Sequence, residues 1–194
     1  MAETILEVRG ISKSFPGVKA LDKVDFSLDK GTVHALVGEN GAGKSTLMMI
    51  LGGVYSQDEG EIILEGNPVN FESSYAANRK GISVVYQELS LVPNLSVAEN
   101  IFAYRQPVNR LDLISWNTLY RQTEDILKIF ELDDINPKTL VSELSMAQRQ
   151  VVEILKAMSV NPKILIFDEP TSSLTEVETK ELFINLNKLK AEGI

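Results

Sequence analysis

The feature that most restricts the fold of this chain is a glycine-rich stretch, GENGAGKS, at residues 38–45. Its glycines, lysine and serine fit the pattern G-x-x-x-x-G-K-[ST], in which backbone N–H groups surround phosphate oxygens. The apolar segment TVHALV (32–37) predicts a strand before it, and LMMIL (47–51) predicts a buried helix after it. Because an ordinary glycine-rich turn does not need this order of strand, loop and helix, we interpret residues 38–45 as a phosphate-binding loop.

Each residue type in this loop has its own expected task. Glycines permit the positive φ angles with which backbone N–H groups reach phosphates. Lys44 is expected to place its charge beside the β- and γ-phosphates, and the Ser45 hydroxyl is expected to bind Mg²⁺. The helix that follows directs the positive end of its dipole at the anion. The candidate nucleotide-binding residues here are Gly38, Glu39, Asn40, Gly41, Ala42, Gly43, Lys44, Ser45 and Thr46.

Two adjacent carboxylates, Asp168 and Glu169, follow the short strand predicted for KILIF (163–167). Open α/β sheets place their ligand chemistry at this end of their strands. One carboxylate there can hold Mg²⁺, and the next can polarise an attacking water. Solvated acids without a chemical role also end many strands. The phosphate-binding loop in the same chain favours the catalytic interpretation.

The order of the predicted elements places the chain in the α/β class. Strands alternate with helices, which predicts a mostly parallel sheet. Together with the phosphate-binding loop, this order resembles a P-loop NTPase core. TILEVRG (4–10) and ALDKVDFSL (20–28) alternate apolar and polar residues, which predicts a small N-terminal antiparallel β layer. Residues from about 88 to 160 have mostly helical patterns. We expect them to form an inserted α-helical subdomain between two core segments, residues 1–87 and 161–194.

Composition argues against several function classes. The chain has no cysteine, so it offers neither disulfides nor a thiolate nucleophile or metal site. Its formal net charge of −8 disfavours binding along a nucleic-acid backbone, and we expect no nucleic-acid partner. No apolar run approaches the roughly 18–20 residues of a membrane span, and the first ten residues lack signal-peptide features. We therefore expect a soluble chain that reaches a membrane only through a partner.

The segment LSMAQRQVVEILKAM (144–158) predicts an amphipathic helix with a small, polar first turn. Its apolar residues recur at the spacing of one buried face, namely Val151, Ile154, Leu155 and Met158. Ser145 can cap this helix by accepting a first-turn N–H. The same serine, with the free N–H groups of the helix end, can also bind an anion, and the two tasks are compatible.

Four segments together resemble the ATP-binding cassette (ABC) ATPases: GENGAGKST, the strand-end Gln87, LSMAQ and ILIFDEPTSSLT. The resemblance covers nearly the whole chain, with the segments in the family's order. It implies hydrolysis of ATP with Mg²⁺, by in-line attack of water on the γ-phosphate. It assigns Ser45, Gln87 and Asp168 to the metal. Glu169 is implied as the general base, and Gln87 is implied to help orient the water.

The resemblance also implies a role for the helix end at Ser145. In the family, this signature segment contacts the γ-phosphate of a nucleotide that another cassette holds. We therefore expect that contact from Ser145, Met146, Ala147 and Gln148. Met146 and Ala147 stand where the usual family pattern has two glycines.

Two further residues that match the family have structural alternatives. Phe15 matches the aromatic residue that stacks on adenine, but a phenylalanine under the small sheet also fits a core position. Gln87 matches the residue that links the metal and the attacking water to the transport partner. The alternative for Gln87 is a plain amide at a strand end.

Some stretches are similar to the ATPases of bacterial importers for ribose, galactose and related monosaccharides, including GVYSQDEGEI and VVYQELSLVPNLSVAENIF. This narrower resemblance implies a peripheral location on the cytoplasmic face of the cell membrane. Its implied partners are a second ABC cassette, in the same polypeptide or in a dimer, an integral membrane permease and, indirectly, a sugar-binding protein. The alternatives are translation-associated or DNA-repair ATPases of the same superfamily, and a phosphate-loop kinase, which would not require LSMAQ.

The family carries a histidine after the next core strand, where that residue contacts the γ-phosphate. The one histidine of this chain is His34, which precedes the phosphate-binding loop. We therefore expect a C-terminally incomplete cassette, most like the N-terminal cassette of a two-cassette polypeptide. We expect it to bind nucleotide but to hydrolyse it slowly.

Overall fold

The computed structural model describes residues 3–129, 132, 134–170 and 175–191 of the 194-residue chain. Its β-strands are β1 (Thr4–Phe15), β2 (Val18–Asp29), β3 (Glu59–Leu64), β4 (Asn67–Val69), β5 (Ile82–Val85) and β6 (Ile164–Phe167). Its α-helices are α1 (Lys44–Leu51), α2 (Ser74–Lys80), α3 (Val97–Ile101), α4 (Trp116–Ile129), α5 (Met146–Met158) and α6 (Glu176–Ala191). The mixture of helices with an antiparallel and a parallel sheet confirms the predicted fold class.

The N-terminal strands form the predicted antiparallel layer. Four strands lie in the order β2-β1-β3-β4, and each neighbouring pair is antiparallel. Val8 of β1 lies opposite Phe26 of β2 on one side and Ile62 of β3 on the other. Leu6 and Val8 of β1 are fully buried, as their alternation with polar residues predicts, and Ile11 is buried beyond a register shift that follows Val8.

A second sheet, as far as the described residues show it, consists of β5 and β6 running parallel. At the carboxyl ends of these strands, the Asp168 N–H donates to the Val85 carbonyl oxygen at 3.0 Å. Val85 belongs to a hydrophobic cluster with Ile154, Ala157 and Leu182, which come from α5 and α6. This hydrophobic cluster therefore holds Val85, the residue at the end of β5 that accepts the Asp168 N–H.

The strand predicted for residues 32–37 is not present, so that prediction was wrong. Residues 32–39 have no regular secondary structure, and Val33 and Val37 are 65% and 89% exposed. A strand is stabilised by hydrogen bonds to a neighbouring strand, and none of the described strands pairs with this segment. Apolar character alone is therefore not enough to form a strand here. His34 is exposed as well, and its ring meets the Phe26 ring edge-on, with centroids 4.7 Å apart.

The region between β5 and β6 contains the predicted helices α3, α4 and α5. α3 begins at a capping box, in which Ser96 and Glu99 satisfy each other's backbone N–H groups. α4 buries Leu119 and Leu127 on one face. The pattern of SWNTLYRQTEDILKIF (115–130) predicts a helix up to Phe130, which lies outside the described residues, as do residues 171–174 in the ILIFDEPTSSLT segment.

The described residues divide into two compact units. One unit holds the residues up to Val84 together with those from Asn187 onward, and the other holds Val85–Leu186. The boundaries predicted for the helical subdomain, residues 88–160, remain a prediction. Among the described helices, none combines the length and apolar character that a membrane crossing requires.

Candidate active site

The phosphate-binding loop leads directly into α1, whose N-cap is Gly43. Gly43 has φ +85°, and a Cβ built there would lie 2.4 Å from the Ala20 carbonyl oxygen and 2.7 Å from Leu21 Cδ2. Both neighbours belong to β2. Because a side chain at this position would meet backbone as well as strain the dihedral angle, only glycine fits. The antiparallel layer thus fixes the end of the loop against β2.

The Lys44 side chain lies along its own loop. Its Nζ atom donates to the carbonyl oxygens of Gly38 at 2.8 Å and Glu39 at 2.9 Å. The loop is closed further by the Ala42 N–H, which donates to the Glu39 carbonyl oxygen at 3.1 Å. Gly41 has φ +85°, in the region that glycine reaches without cost. The loop therefore places an ammonium group against the backbone that the sequence predicts to bind phosphates.

The next two residues of the predicted set lie in the first turn of α1. Ser45 is exposed and Thr46 is half-buried. A hydroxyl at the N-terminus of a helix can serve as an oxygen ligand for a hard cation such as Mg²⁺. Asn40 and Glu39 are exposed in the loop that precedes them.

Phe15 ends β1 and is half-buried. Its ring makes an edge-on contact with Tyr55, with centroids 5.4 Å apart, and the Lys13 Nζ atom lies 5.7 Å from its centroid. Lys13 is in turn paired with Asp58 at 2.7 Å. The Phe15 ring is therefore partly exposed and partly packed against Tyr55 and Lys13. Sequence reasoning missed Tyr55, whose position next to Phe15 depends on the pairing of β1 with β3.

Gln87, Asp168 and Glu169 follow the carboxyl ends of β5 and β6, as predicted. Gln87 is exposed two residues after Val85, whereas Asp168 is half-buried and Glu169 is exposed. Because Asp168 donates its N–H to Val85, the two strand ends lie side by side. This places one carboxylate and one amide on adjacent strand ends, which suits binding of a hard cation or a water.

Glu169 has a backbone conformation that is unusual for its residue type. Its φ is +48°, and Pro170 follows it. The left-handed region costs a residue with a Cβ about 1–2 kcal/mol. A following proline also disfavours helical backbone geometry. Such strain persists only where surrounding structure imposes it, and it is concentrated at functional sites.

Ser145 caps α5, as one of the two predicted tasks requires. Its hydroxyl oxygen accepts the Gln148 N–H at 3.2 Å, and the Gln148 side chain accepts the Ser145 N–H at 3.0 Å. Since the hydroxyl acts as an acceptor here, its proton remains available to donate. Met146 is 45% exposed and Ala147 is half-buried. This end of α5 therefore has a hydroxyl donor and first-turn N–H groups that the helix itself does not use.

The predicted site residues fall in both compact units. Phe15 and the loop from Gly38 to Thr46 belong to the first unit, whereas Gln87, Ser145 and the carboxylate pair belong to the second. Within the described residues, no three His, Cys, Asp or Glu side chains cluster closely enough to hold a metal ion.

The sequence of residues 21–172 matches that of the ABC transporter family. The chain belongs to this family. The matched range includes the phosphate-binding loop, Gln87, Ser145 and both carboxylates, and it excludes Phe15. This ABC chain also superposes on a solved ATP-binding cassette of an ABC transporter, MJ1267 in its ADP conformation. The TM-score is 0.86 at 29% identity, over 98% of this chain and 78% of that one.

Curated ABC proteins are similar to the whole of this chain. A galactose/methyl galactoside import ATP-binding protein of Clostridium tetani is 52% identical over 193 residues, which cover 98% of this chain and 38% of that protein. A ribose import ATP-binding protein of Rhodopirellula baltica is 51% identical, over 99% of this chain and 37% of that protein. This chain of the ABC transporter family thus spans well under half the length of these relatives.

Proposed function

We propose that this chain is the ATP-binding and ATP-hydrolysing cassette of an importer for monosaccharides. The observation that carries the proposal is the loop that ends at Gly43 and Lys44. At the start of α1, this loop holds the Lys44 ammonium against its own backbone, at the carbonyl oxygens of Gly38 and Glu39. Membership of the ABC transporter family supports a nucleoside triphosphate as the anion that binds there.

The proposed reaction is in-line attack of water on the γ-phosphate of ATP. Lys44 and the loop N–H groups neutralise the charge that develops on the phosphate oxygens. Ser45 and Asp168 hold Mg²⁺, which when bound offsets negative charge on the phosphates. Gln87 orients the attacking water, and Glu169 accepts its proton as general base. Glu169 suits that role because it is exposed and directly follows Asp168, the residue after β6.

Phe15 is proposed to receive the adenine ring. A half-buried aromatic ring beside Lys13 and Tyr55 offers surface on which a base can stack. Residues of the phosphate-binding loop and Phe15 belong to the same compact unit, which supports joint binding of the two ends of one nucleotide.

The end of α5 is proposed to contact a nucleotide held by a second cassette. The hydroxyl proton of Ser145 and the first-turn N–H groups supply the donors, and Met146, Ala147 and Gln148 complete the contact surface. ATP then joins two cassettes, either in one polypeptide or in a dimer. When ATP is hydrolysed, the two cassettes separate again, and this separation provides the work that moves the transporter.

The transport proposal rests on the import proteins that are similar to the whole chain. A membrane permease and, indirectly, a sugar-binding protein are the proposed partners. The cassette is proposed to bind the permease peripherally, at the cytoplasmic face of the membrane. Its net charge of −8 fits this arrangement better than contact with nucleic acid.

Nucleotide binding by this chain tests the core of the proposal. Titration calorimetry with MgATP is expected to show one site, and Lys44→Ala is expected to weaken that site by about tenfold or more. Lys80→Ala is the matched control, because Lys80 is an exposed lysine in the last turn of α2. Absence of MgATP binding by the folded chain would overturn the proposal.

Substitution of the proposed base tests the chemistry. In the complete transporter, Glu169→Gln is expected to retain ATP binding and to lower the turnover rate by about a hundredfold or more. The matched control is Glu143→Gln, at an exposed glutamate of the turn before α5. Normal turnover by Glu169→Gln would show that another group takes the proton. Import of labelled ribose or galactose by cells that lack the chain tests the transport role.

A further inference from the structure

A buried carboxylate on α5 has no part in the mechanism described above. Glu153 is only 5% exposed, and it lies between Val152 and Ile154, which are also buried. An ionised side chain is costly to bury unless hydrogen bonds and an opposite charge surround it. Its contacts therefore indicate what the fold gains from a charge at this position.

Glu153 binds both the backbone and the side chain of Ser90. One carboxylate oxygen accepts the Ser90 N–H at 3.1 Å, and the other accepts the Ser90 hydroxyl at 2.6 Å. Lys156 completes the group, because its Nζ atom donates to the Ser90 hydroxyl oxygen at 2.6 Å and to the Ser90 carbonyl oxygen at 3.2 Å. The Ser90 hydroxyl thus donates to an anion and accepts from a cation at once.

The three residues join two segments that are far apart in sequence. Ser90 and Glu153 are separated by 63 positions. Ser90 follows Gln87 by three residues in the loop between β5 and α3, whereas Glu153 lies eight residues after Ser145 on the rigid helix α5. That interval is two helical turns, or about 12 Å along the helix axis. The group therefore connects the loop that carries Gln87 to the helix that begins at Ser145.

Stability alone is a poor explanation for this arrangement. Apolar side chains in place of a buried ion pair are often neutral or stabilising. A bidentate, charge-assisted contact instead fixes one geometry. The loop is also fixed near Ser90 by Asn100, whose side chain accepts the Val92 N–H at 2.7 Å. The loop is therefore bonded to α5 through Ser90 and to α3 through Val92.

We propose that Glu153 is a positioning residue which, with Ser90 and Lys156, makes the loop carrying Gln87 and the Ser145 end of α5 move as one body when nucleotide binds. This inference rests on the proposed function, in which Gln87 senses the metal and the attacking water. The consequence is that occupation of the phosphate-binding loop alters the end of α5, and that this effect requires the contact with Ser90.

Hydrogen exchange on this chain tests the proposal, with magnesium and a non-hydrolysable ATP analogue as the probe. In the wild type, the analogue is expected to slow exchange by about threefold or more in residues 86–92 and in residues 144–150. Glu153→Gln is expected to retain analogue affinity and the response at 86–92, but to lose the response at 144–150. Ser90→Ala is expected to behave likewise, whereas Ser90→Thr, which restores the hydroxyl, keeps both responses.

The matched control is Glu124→Gln, at an exposed glutamate of α4, which is expected to keep both responses. The proposal is overturned if the response at 144–150 persists in both Glu153→Gln and Ser90→Ala. It is also overturned if the wild type binds the analogue without a response at 144–150. If Glu153→Gln does not fold, Ser90→Ala decides, because it keeps the pair of Glu153 with Lys156. A folded wild type that fails to bind the analogue overturns the proposed function instead.

Discussion

Gly43 lies so close to Ala20 that a Cβ on the glycine would be 2.4 Å from the Ala20 carbonyl oxygen. Gly43 also has φ +85°. Gly43→Ala is therefore expected to lower the free energy of unfolding by about 2–5 kcal/mol, through dihedral strain and overpacking together. It is also expected to abolish binding of MgATP, because α1 and the phosphate-binding loop must separate from β2. Denaturant unfolding and calorimetry measure the two effects.

Gly66 provides the control for the dihedral strain alone. It has φ +76°, but a Cβ there would meet no atom within 4 Å. Gly66→Ala is expected to cost only about 1–2 kcal/mol and to leave nucleotide binding unchanged. Equal losses of stability in the two variants would show that the approach of Gly43 to β2 has no energetic consequence.

Two serines cap helices in the same way, and only one of them has a proposed contact with nucleotide. Ser145 caps α5 and Ser96 caps α3, each within a capping box. Replacement of either serine by alanine is expected to cost about 1 kcal/mol of stability. In the complete transporter, only Ser145→Ala is expected to lower the ATP turnover rate, by about tenfold or more. Thermal unfolding and steady-state ATPase assays compare the two variants.

Ser96→Ala is thus the control for the capping effect. If both variants lose stability and turnover to the same extent, Ser145 acts only as a cap. The comparison is informative because both serines belong to a capping box, whereas the Ser96 hydroxyl is buried and also donates to the Glu99 carboxylate.

Asn100 fixes the loop between β5 and α3 with nearly all of its hydrogen-bonding capacity. It is 2% exposed, and it donates to the carbonyl oxygens of Val92, Leu95 and Ser96 while accepting the Val92 N–H. Asn100→Ala removes all four of these bonds and leaves the Val92 N–H without its acceptor, whereas each of the three carbonyl oxygens keeps a backbone N–H donor. We expect a loss of about 2–4 kcal/mol in the free energy of unfolding, measured by denaturant titration.

Asn117→Ala is the matched control, because Asn117 is exposed on α4. It is expected to change stability by less than about 0.5 kcal/mol. A similar small change in Asn100→Ala would mean that water replaces the side chain at no cost, and that the loop does not depend on Asn100.

Much of this fold was predictable because each sequence pattern reflects the geometry of one strand or one helix. The alternation in β1 and β2, the spacing of apolar residues in α5 and the cap at Ser145 all follow from the geometry of a single element. The order of these elements was sufficient to predict the α/β class. Residues 32–37 show the limit, because a strand also needs a neighbour, and local apolar character does not supply one.

Residues of the candidate site can be proposed from sequence where a motif by itself indicates a chemical role. The loop before Lys44 is recognisable from its spacing. The acids after β6 are a weak signal alone, and the loop in the same chain is what favours a chemical role for them. Contacts between distant segments were not predictable in this way. Glu153 is one case, since its partner Ser90 is 63 positions away and only the fold shows that the two meet. An acid inside the apolar spacing of α5 was the one available signal.

Asp58 links β1 to the turn before β3, and its charge makes that link depend on pH. It accepts a hydrogen bond from the Lys13 ammonium and another from the Ser14 N–H, each at 2.7 Å. These contacts, with that of Lys13 first, hold the pKa of Asp58 below its ordinary value of 3.8. Because the folded-state pKa is the lower one, the stabilisation is complete well above pH 3.8. It is lost as the pH falls through the folded-state pKa.

Asp58→Asn is therefore expected to lower the unfolding midpoint near neutral pH, and the deficit relative to the wild type is expected to shrink as the pH falls below 3.8. Denaturant unfolding over a series of acidic buffers measures this convergence. Asp125→Asn, at an exposed aspartate of α4, controls for the loss of one negative charge and is expected to change the midpoint little near neutral pH. A deficit for Asp58→Asn that stays constant into strong acid would show that the amide itself, and not the lost charge, destabilises β1.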